Sequence, residues 1–334
     1  FGPDTKDKMN LRIKAGVDHF HEVSEMSDKD IALLARSFEI DIAIDLGGYT
    51  SGSRTGIFAM RAAPIQVNYL GYSGTMGASY IDYLLGDKII IPECQYKNYS
   101  EKIVFLPDSF MVNDNKNSTS SREFSREDLG LPDDSFVFCC FNAHYKITQT
   151  VFSSWMKILS CVDGSVLWLS DGHLSAINNL KIEAEKKGID GNRLIFAPRL
   201  DLREDHLSRI MKADLFLDTL PYNAHATTSD ALQKGLPVLT CVGKSFASRV
   251  AASLLESVEL PELVVKNTDD YELLAIELAT KPEKLKLIKD KLALKLANSP
   301  LYDTLLFTKN IESAYCTMHN RYLKKLDPDH IYVE

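Results

Sequence analysis

The chain has 334 residues, of which 45% are hydrophobic and 25% are charged, and its formal net charge at pH 7 is −8. This length and composition are typical of a globular protein with two domains. The negative charge argues against a nucleic-acid surface, which needs a basic face. No apolar run reaches the ~18 residues of a membrane span, and the first residues lack the pattern of a secretory signal peptide.

The cysteines do not form a pattern typical of a zinc site. They are Cys94, Cys139, Cys140, Cys161, Cys241 and Cys316. No two of them make a C-x-x-C pair, so we do not expect zinc. Four of the six lie in apolar strand-like or helix-like runs. This placement favours reduced thiols in the core of a cytoplasmic protein.

The first part of the chain alternates short β-rich runs with helical segments, which is the pattern of a parallel sheet covered by helices. A turn-like opening without an initiator Met leads into an amphipathic helix, so we expect that upstream material has been lost. A second helix is predicted over Met26–Phe38, where apolar residues recur on one side. The strand candidates are Ile40–Leu46, Ile65–Leu70, Lys88–Ile91 and Lys102–Pro107.

Residues Asn113–Asp134 are polar and rich in Asn, Ser and Asp, so they are the best candidate for a linker. We therefore predict an N-terminal domain over residues 1–125 and a C-terminal domain over residues 126–334. A long surface loop within one domain is the alternative interpretation of this segment.

The part of the chain after this segment has the clearest alternation. Its strand candidates are Ser135–Phe141, Ser165–Ser170, Arg193–Pro198, Leu215–Thr219, Pro237–Val242 and Glu262–Lys266. Two apolar stripes between them are predicted to face the core, namely Phe152, Trp155, Met156 and Leu159, and Phe246, Val250, Leu254 and Val258. Together they predict a doubly wound, Rossmann-like domain. The lysine-rich tail from Lys281 is interpreted as the solvated face of a helix rather than a site for an acidic partner.

The strand-to-helix junctions are the places to search for a site, because no G-x-G-x-x-G follows a strand and no P-loop motif is present. In open α/β sheets, ligands bind beyond the carboxyl ends of strands, where helix N-termini point. At the first junction, Phe141–Thr148, the apolar run ends at Asn142. Tyr145 and Lys146 follow, and a lysine there can neutralise a departing diphosphate. A surface lysine at a helix start is the alternative.

The second junction, Leu217–Leu232, combines a strand end, a proline turn and a helix start. Its candidate residues are Asn223, His225, Thr227, Thr228, Ser229 and Asp230. Asparagine or histidine can cap the helix, while hydroxyls, free N–H groups and the helix dipole converge in the first turn, which predicts an anion site. The aspartate suits a sugar hydroxyl. Simple capping by Ser and Thr is the alternative.

The remaining junctions carry weaker signals. In Ala197–Ile210, His206 could stack on a base with Arg209 near it, although a surface histidine is the alternative. Leu70–Tyr83 and Leu46–Phe58 place glycines after a strand, where the backbone can approach a ligand or simply turn. Because all five junctions fall at strand ends, we predict two facing Rossmann-like domains. This is the GT-B architecture of many nucleotide-sugar transferases.

A collinear set of motifs covers nearly the whole chain. It comprises GGYTSGSRTGIFAMRAAPIQVNYLGYSGTMGASYIDYLLGD in the first part, and FCCFNAHYKI, NRLIFAP, EDHLSR, LFLDTLPYNAHATTSDAL and ASRVAASLL in the second. In this order the motifs resemble the two catalytic lobes of the protein O-GlcNAc transferases, glycosyltransferase family 41, and the likeness is to the bacterial branch. The resemblance implies a GT-B fold whose first lobe is incomplete at its N-terminus. The strand and His-Pro loop that open this lobe, and the tetratricopeptide repeats before it, are expected upstream of Phe1.

The resemblance also implies an activity and a set of site residues. The activity is inverting, metal-independent and cofactor-independent transfer of N-acetylglucosamine from UDP-GlcNAc to Ser or Thr hydroxyls of a protein or peptide, with no nucleic-acid or membrane partner. The catalytic residue is Lys146, which would stabilise the leaving diphosphate. The substrate-binding set is Gly74, Thr75, Asn142, Tyr145, Lys146, Arg203, His206, Arg209, His225, Thr227, Thr228 and Asp230. In it, Gly74 and Thr75 line the sugar pocket, His206 contacts the uridine and Asp230 binds the ribose.

Departures from the family pattern leave alternatives open. Ala226 replaces a usual Thr, and Thr228 is the hypothetical substitute for the missing donor. Ala143 stands where animal members have Gln. Since the catalytic base is not identifiable and upstream material is expected to be missing, we expect weak activity from the chain as given. The alternatives are an Asn-directed UDP-glucose transferase of the same fold and a non-catalytic remnant that binds UDP or a partner.

Overall fold

A computed structural model describes residues 7–116, 120 and 122–334. The opening segment 1–6 and, within the predicted linker, residues 117–119 and 121 lie outside the described residues. The chain divides into two compact units. The first unit contains residues up to Gly86, Glu93–Leu106 and Asn310–Glu334. The second contains Asp87–Pro92 and Pro107–Lys309.

These units differ from the predicted domains, which were residues 1–125 and 126–334. The last segment of the chain returns to the first unit because Ile331 pairs in parallel with Val104. The described start of the predicted linker belongs to the second unit. There Asn113 Nδ2 donates to the Leu301 carbonyl at 3.1 Å, and the Ser229 hydroxyl donates to Asn113 Oδ1. This part of the segment is therefore a loop within one unit, which is the alternative interpretation given above.

The first unit is built on a five-stranded sheet with the order β1-β2-β3-β4-β11, in which every neighbouring pair is parallel. Its strands are β1 (Ile42–Asp45), β2 (Ile65–Asn68), β3 (Tyr83–Gly86), β4 (Lys102–Phe105) and β11 (Ile331–Tyr332). Its helices are α1 (Lys8–Ala15), α2 (Asp28–Ser37), α3 (Gly56–Ala59) and the part of α11 (Thr304–Leu323) from Asn310 onward. The predicted second helix is confirmed, and the Ser27 hydroxyl caps it by accepting from the Asp30 N–H at 3.2 Å.

The strand predicted over Lys88–Ile91 is wrong. This run is a turn, and the strand lies just before it, in β3. The Asp87 carboxylate accepts from the N–H groups of Ile89 and Ile90 at 2.9 and 2.8 Å, so these groups are not available for a sheet. Ile90 and Ile91 are apolar because they are buried in the core of the second unit rather than because they form a strand.

The second unit contains a six-stranded sheet with the order β10-β9-β8-β5-β6-β7, and all of its pairs are parallel. Its strands are β5 (Val137–Cys140), β6 (Val166–Ser170), β7 (Leu194–Ala197), β8 (Leu215–Leu217), β9 (Val238–Cys241) and β10 (Val264–Val265). All six strand predictions are confirmed. The strand order reverses between β5 and β8, and such a switch point is where ligands bind in doubly wound sheets.

Helices cover the second sheet and bury the predicted stripes. They are α4 (Gln149–Cys161), α5 (Leu174–Lys186), α6 (Arg203–Ile210), α7 (Ala226–Gln233), α8 (Val250–Ser257), α9 (Thr268–Thr280) and α10 (Pro282–Leu296). Every residue of both predicted stripes is buried. The lysine-rich tail forms α10, which buries three apolar residues and none of its lysines, as predicted.

The cysteines are free thiols, and three of them, Cys139, Cys140 and Cys241, are buried. Cys94, Cys161 and Cys316 are exposed, so the expectation of core thiols holds for three of the six cysteines. No helix in the described ranges has the length and apolar character needed to cross a membrane.

Candidate active site

The candidate site lies at the switch point of the second sheet, where β5 and β8 end side by side. Asn142, just after β5, donates from Nδ2 to the Thr219 hydroxyl at 2.8 Å. Thr219 in turn donates to the Tyr222 carbonyl at 2.6 Å within its own loop, so the buried bond from Asn142 joins the loop after β5 to the loop after β8. In the described part of the chain, Asn142 Oδ1 and Asn223 Oδ1 are buried without a hydrogen-bond partner. Buried acceptors without a partner are rare in proteins. Where they occur, they often mark a site that binds water or a ligand.

Lys146 closes a 3₁₀ turn, His144–Lys146, between β5 and α4. Its Nζ donates to the Asn223 carbonyl at 2.8 Å and lies 3.9 Å from the centre of the Tyr222 ring. Partial burial lowers the pKa of this ammonium group, and the charge of Asp218 opposes that shift. Lys146 is therefore a half-buried cation at the carboxyl end of the sheet, as the sequence predicted.

Asp218 is the main site residue that the sequence interpretation missed. Its carboxylate is buried and accepts from the N–H groups of Thr219 and Ala224 at 2.7 and 2.6 Å and from the Thr240 hydroxyl at 2.7 Å. Burial raises the pKa of Asp218 to about 6, although these bonds and Lys146 act in the opposite direction. In the motif this aspartate is the first polar residue after an apolar strand, which is the signal that could have identified it.

Helix α7 begins beside this loop without a side-chain cap. His225 occupies the N-cap position, but its side chain makes no capping bond, and Asn223 Nδ2 instead donates to the Thr219 carbonyl at 2.8 Å. The predicted capping by either residue is therefore wrong. The first helical hydrogen bond runs from the Ser229 N–H to the His225 carbonyl, so the preceding N–H groups have no partner within the helix. Such a helix start favours an anion.

The residues of the first turn of α7 differ in their accessibility. Ala226 is exposed and Thr227 is half-buried, so both can be reached from solvent. Thr228 is fully buried, and its hydroxyl donates to the Ala224 carbonyl at 3.0 Å. This bond contradicts the hypothesis that Thr228 replaces the donor missing at Ala226, because its hydroxyl hydrogen is already used inside the protein.

His225 is held neutral near the lysine. Burial lowers its pKa to about 4, and the charge of Lys146 adds to the effect. Its Nε2 lies 3.3 Å from the Ala247 carbonyl, which assigns the proton to that nitrogen. The ring also packs against Tyr222 at a centroid distance of 5.0 Å. With its proton on Nε2, the neutral imidazole can accept a hydrogen bond from a ligand at Nδ1 without adding charge.

Asp230 and Arg203 form an ion pair at one side of the site. Arg203 Nη2 lies 2.6 Å from Asp230 Oδ1, and the aspartate side chain is 18% exposed. Burial raises the pKa of Asp230, against the effect of the arginine. A carboxylate in this position still has a second oxygen that can accept from a sugar hydroxyl.

His206 is held in place by Arg209. The arginine is 4% exposed and directs Nε and Nη2 at His206 Nδ1, at 3.1 and 2.9 Å. It also donates to the Pro198 carbonyl. Burial, followed by the two neighbouring arginines Arg209 and Arg203, lowers the pKa of His206 to about 4. Because its nitrogens are buried and occupied, Arg209 orients the histidine, and the prediction that it contacts substrate is not supported by its position.

Tyr145 is the most accessible residue of the predicted set. Its side chain is 77% exposed, and its ring lies edge-on to Tyr222 at 6.5 Å. The second unit thus places the predicted residues around the ends of β5, β7 and β8, while Gly74 and Thr75 belong to the first unit.

In the first unit, the glycine loops after β1 and β2 pack against each other. A Cβ at Gly71 would lie 2.1 Å from the Leu46 carbonyl oxygen, so no other residue fits there without movement. Gly48 has φ +54°, and a Cβ at this position would lie 2.3 Å from Tyr72 Cβ. These glycines are required by close packing of the two loops, whereas a Cβ at Gly74 would make only ordinary contacts.

Thr75 is fixed by a buried glutamate. Its hydroxyl donates to Glu101 Oε2 at 2.6 Å, and the Met76 N–H donates to the other carboxylate oxygen at 2.5 Å. The Gly77 N–H donates back to the Thr75 hydroxyl at 3.0 Å. The loop is therefore rigid, and what Thr75 can still offer a ligand is its backbone and methyl group.

Comparison with protein families decides the identity of the chain. The model of glycosyl transferase family 41 matches residues 1–123 and 120–311. The chain belongs to glycosyltransferase family 41. The resemblance read from the motifs is therefore confirmed.

Curated relatives of this family 41 chain carry consistent names. It is 37% identical over 96% of its length to a probable UDP-N-acetylglucosamine–peptide N-acetylglucosaminyltransferase, SEC, of Arabidopsis thaliana. It is 34% identical over 92% of its length to the SPINDLY protein of Petunia hybrida, which has the same enzyme name. The chain spans 34% and 33% of these two proteins, about a third of their length.

Solved structures agree with the fold. An O-GlcNAc transferase of Thermobaculum terrenum, a lysine-to-methionine variant, is similar with a TM-score of 0.85 and 29% identity, over 94% of this chain and 59% of that one. Anabaena HepE in complex with UDP and glucose has a TM-score of 0.60 at 11% identity, over 93% of this chain and 90% of that one. The second likeness concerns the fold alone. The prediction of a GT-B fold with two parallel-sheet α/β domains is confirmed.

Proposed function

We propose that this family 41 chain is the catalytic region of an enzyme that transfers N-acetylglucosamine from UDP-GlcNAc to Ser or Thr hydroxyls of proteins. The names of its relatives support this donor and a peptide acceptor. The observation that carries the proposal is the half-buried ammonium of Lys146 at the switch point, beside the uncapped start of α7. These are two sources of positive charge where a diphosphate would leave.

The reaction we propose is a direct displacement with inversion. The acceptor oxygen attacks the anomeric carbon as the bond from that carbon to the β-phosphate oxygen breaks, and the electron pair remains on UDP. The charge that grows on the diphosphate is stabilised by Lys146 and by the free N–H groups of α7. Because this charge is largest in the transition state, such groups raise kcat more than they tighten donor binding.

The nucleoside would bind along the same strand ends. We assign His206, oriented by Arg209, to the uracil ring and Asp230 to the ribose hydroxyls. Asn142, Tyr145, Arg203, His225 and Thr227 complete the proposed donor site. Ala226 has no hydroxyl, and the hydroxyl of Thr228 is already bonded inside the protein. Fewer side chains can therefore donate to the diphosphate, so the backbone N–H groups of α7 contribute more to binding it. Gly74 and Thr75 are proposed for the sugar.

Three further features belong to this proposal. The reaction is proposed to need no metal, because the lysine and the helix start supply the positive charge. The proton of the acceptor is passed to a group outside the residues assigned above. A cytoplasmic location is proposed from the pattern of buried, unpaired thiols.

The test is a transfer assay with the Lys146→Ala variant. We expect loss of transfer by about a hundredfold or more, with UDP still bound, because the lysine acts on charge that develops during the reaction. Lys187→Ala, which removes an exposed lysine of the same unit, should behave as the unchanged protein. Mass spectrometry of the modified peptide identifies the sugar and the linked residue. Full activity of the Lys146 variant, a hexose on Asn, or UDP binding without transfer by the unchanged protein would contradict the proposal.

A further inference from the structure

Asp218 and Lys146 are coupled across the switch point, although they come from different strands. Asp218 comes directly after β8, and Lys146 follows β5. Within the described ranges, no carboxylate forms an ion pair with Lys146. The negative charge that compensates the ammonium group therefore acts without direct contact. The charge of Asp218 nevertheless opposes the effect of burial on the pKa of Lys146, and Lys146 does the same for Asp218.

The loop between β8 and α7 is shaped by the carboxylate. One oxygen, Oδ1, receives the N–H groups of both Thr219 and Ala224, which closes the segment between them into a compact turn. This turn presents the Asn223 carbonyl to Lys146 Nζ and the Tyr222 ring beneath it. The position of the ammonium group therefore depends on bonds that end on Asp218.

The other titratable groups around Asp218 do not supply a positive charge. They are Cys140 on β5, Cys241 on β9, Tyr271 on α9 and His225 before α7. Burial raises the pKa of both thiols and of the phenol, and it lowers that of His225 to about 4, so all four are neutral at neutral pH. Lys146 is the one cation of this group, and a buried carboxylate requires such compensation.

We propose that Asp218 is a positioning residue for the transfer reaction, whose buried carboxylate keeps Lys146 charged and folds residues 219–224 into the turn that holds it. Asp218 does not touch the substrate in this scheme. It acts through Lys146 and the Asn223 carbonyl. The role of Asp218 in catalysis rests on the proposed function. The electrostatic interaction between Asp218 and Lys146 can be tested independently of that function.

The variant Asp218→Asn separates charge from shape. Its Oδ1 can still accept from the two N–H groups, and its amide nitrogen can donate to the Thr240 hydroxyl, which is able to accept. The matched control Thr240→Val removes the bond to Oδ2 at 2.7 Å but keeps the charge. Buried tryptophans of the second unit, Trp155 and Trp168, report by fluorescence whether each variant is folded.

The primary measurement is the reactivity of Lys146 toward trace acylation as a function of pH, followed by mass spectrometry with Lys187 as an internal standard. Only the neutral amine reacts, so loss of one nearby charge should raise the labelling of Lys146 in Asp218→Asn about fivefold at about pH 8. Thr240→Val should leave the labelling unchanged. Equal labelling of Lys146 in the Asn variant and the unchanged protein would overturn the proposal, as would an equal increase in the Val variant.

A reciprocal measurement covers the case in which Asp218→Asn does not fold. In Lys146→Met, the carboxyl titration of Asp218, followed by carbon NMR of labelled aspartate, should move to higher pH because the cation that opposed burial is gone. An unmoved titration would refute the coupling. In transfer assays, the alkaline limb of kcat should move to lower pH in Asp218→Asn. If the unchanged protein transfers no sugar, the proposed function fails, and the labelling result still decides whether Asp218 holds the charge of Lys146.

Discussion

Acidification should destabilise the second unit through His225. Burial and the nearby Lys146 charge lower the pKa of this histidine from 6.5 to about 4 in the folded protein. The unfolded chain therefore binds a proton at His225 over a pH range in which the folded chain does not. The contribution of neutral His225 to the free energy of unfolding is complete above pH 6.5 and is lost as the pH falls toward 4.

The size of the effect follows from the two pKa values. Between about pH 7.5 and about pH 5, the proton taken up by the unfolded state costs the folded state about 2 kcal/mol for this one residue. Replacement of His225 by Gln removes the titration. The glutamine amide can still donate to the Ala247 carbonyl, which lies 3.3 Å from Nε2 in the unchanged protein.

Urea unfolding followed by tryptophan fluorescence measures this difference. Both tryptophans of the chain, Trp155 and Trp168, are fully buried in the second unit, so the signal reports on that unit. The free energy of unfolding of the unchanged protein should fall by about 2 kcal/mol more between about pH 7.5 and about pH 5 than that of His225→Gln. An equal fall in the two proteins would refute the assignment of a neutral, buried imidazole at this position.

Two further substitutions test the packing of each unit. Gly71→Ala should destabilise the first unit by about 1–3 kcal/mol, because its Cβ would overlap the Leu46 carbonyl, whereas Gly47→Ala, with only ordinary contacts, should change little. Hydrogen exchange of peptides from the two loops measures this, and equal protection in both variants would contradict it. Arg209→Met should raise the pKa of His206, since one of the charges that lower it is removed, and should weaken UDP binding about tenfold. A proton NMR titration and calorimetry check the two effects, and an unchanged histidine titration would contradict the role given to Arg209.

The second sheet could be predicted from the sequence because all six of its strands are short apolar runs between helices. Buried parallel strands have little alternation, so continuous apolar runs are their ordinary signature. The same signature misled the prediction at Lys88–Ile91, where the Asp87 carboxylate binds the backbone N–H groups and a buried turn results. The strand β11 was missed because a pair of residues at a sheet edge has no periodicity to detect.

Within the site, the sequence predicted which residues lie at strand ends but not what each side chain is bonded to. Thr228 and Arg209 carry suitable chemical groups in the matched motifs, yet their polar atoms are engaged inside the protein. Asp218 was missed for the opposite reason, because a carboxylate at the end of an apolar strand gains its role only from partners that are distant in the chain. Sequence spacing gives the order of residues along the backbone, and the direction of a hydroxyl or guanidinium depends on the packing around it.

The pairing of β11 with β4 has a consequence for how the protein is made. Strand β4 is synthesised long before β11, so this edge of the first sheet gains its neighbour only when Ile331 and Tyr332 have been made. Until then the N–H and C=O groups on that edge are open to pairing with other chains. Removal of Ile331 and Tyr332 should therefore promote aggregation through the open edge of β4, while the switch-point sheet, whose last strand ends at Val265, is complete before β11 is made.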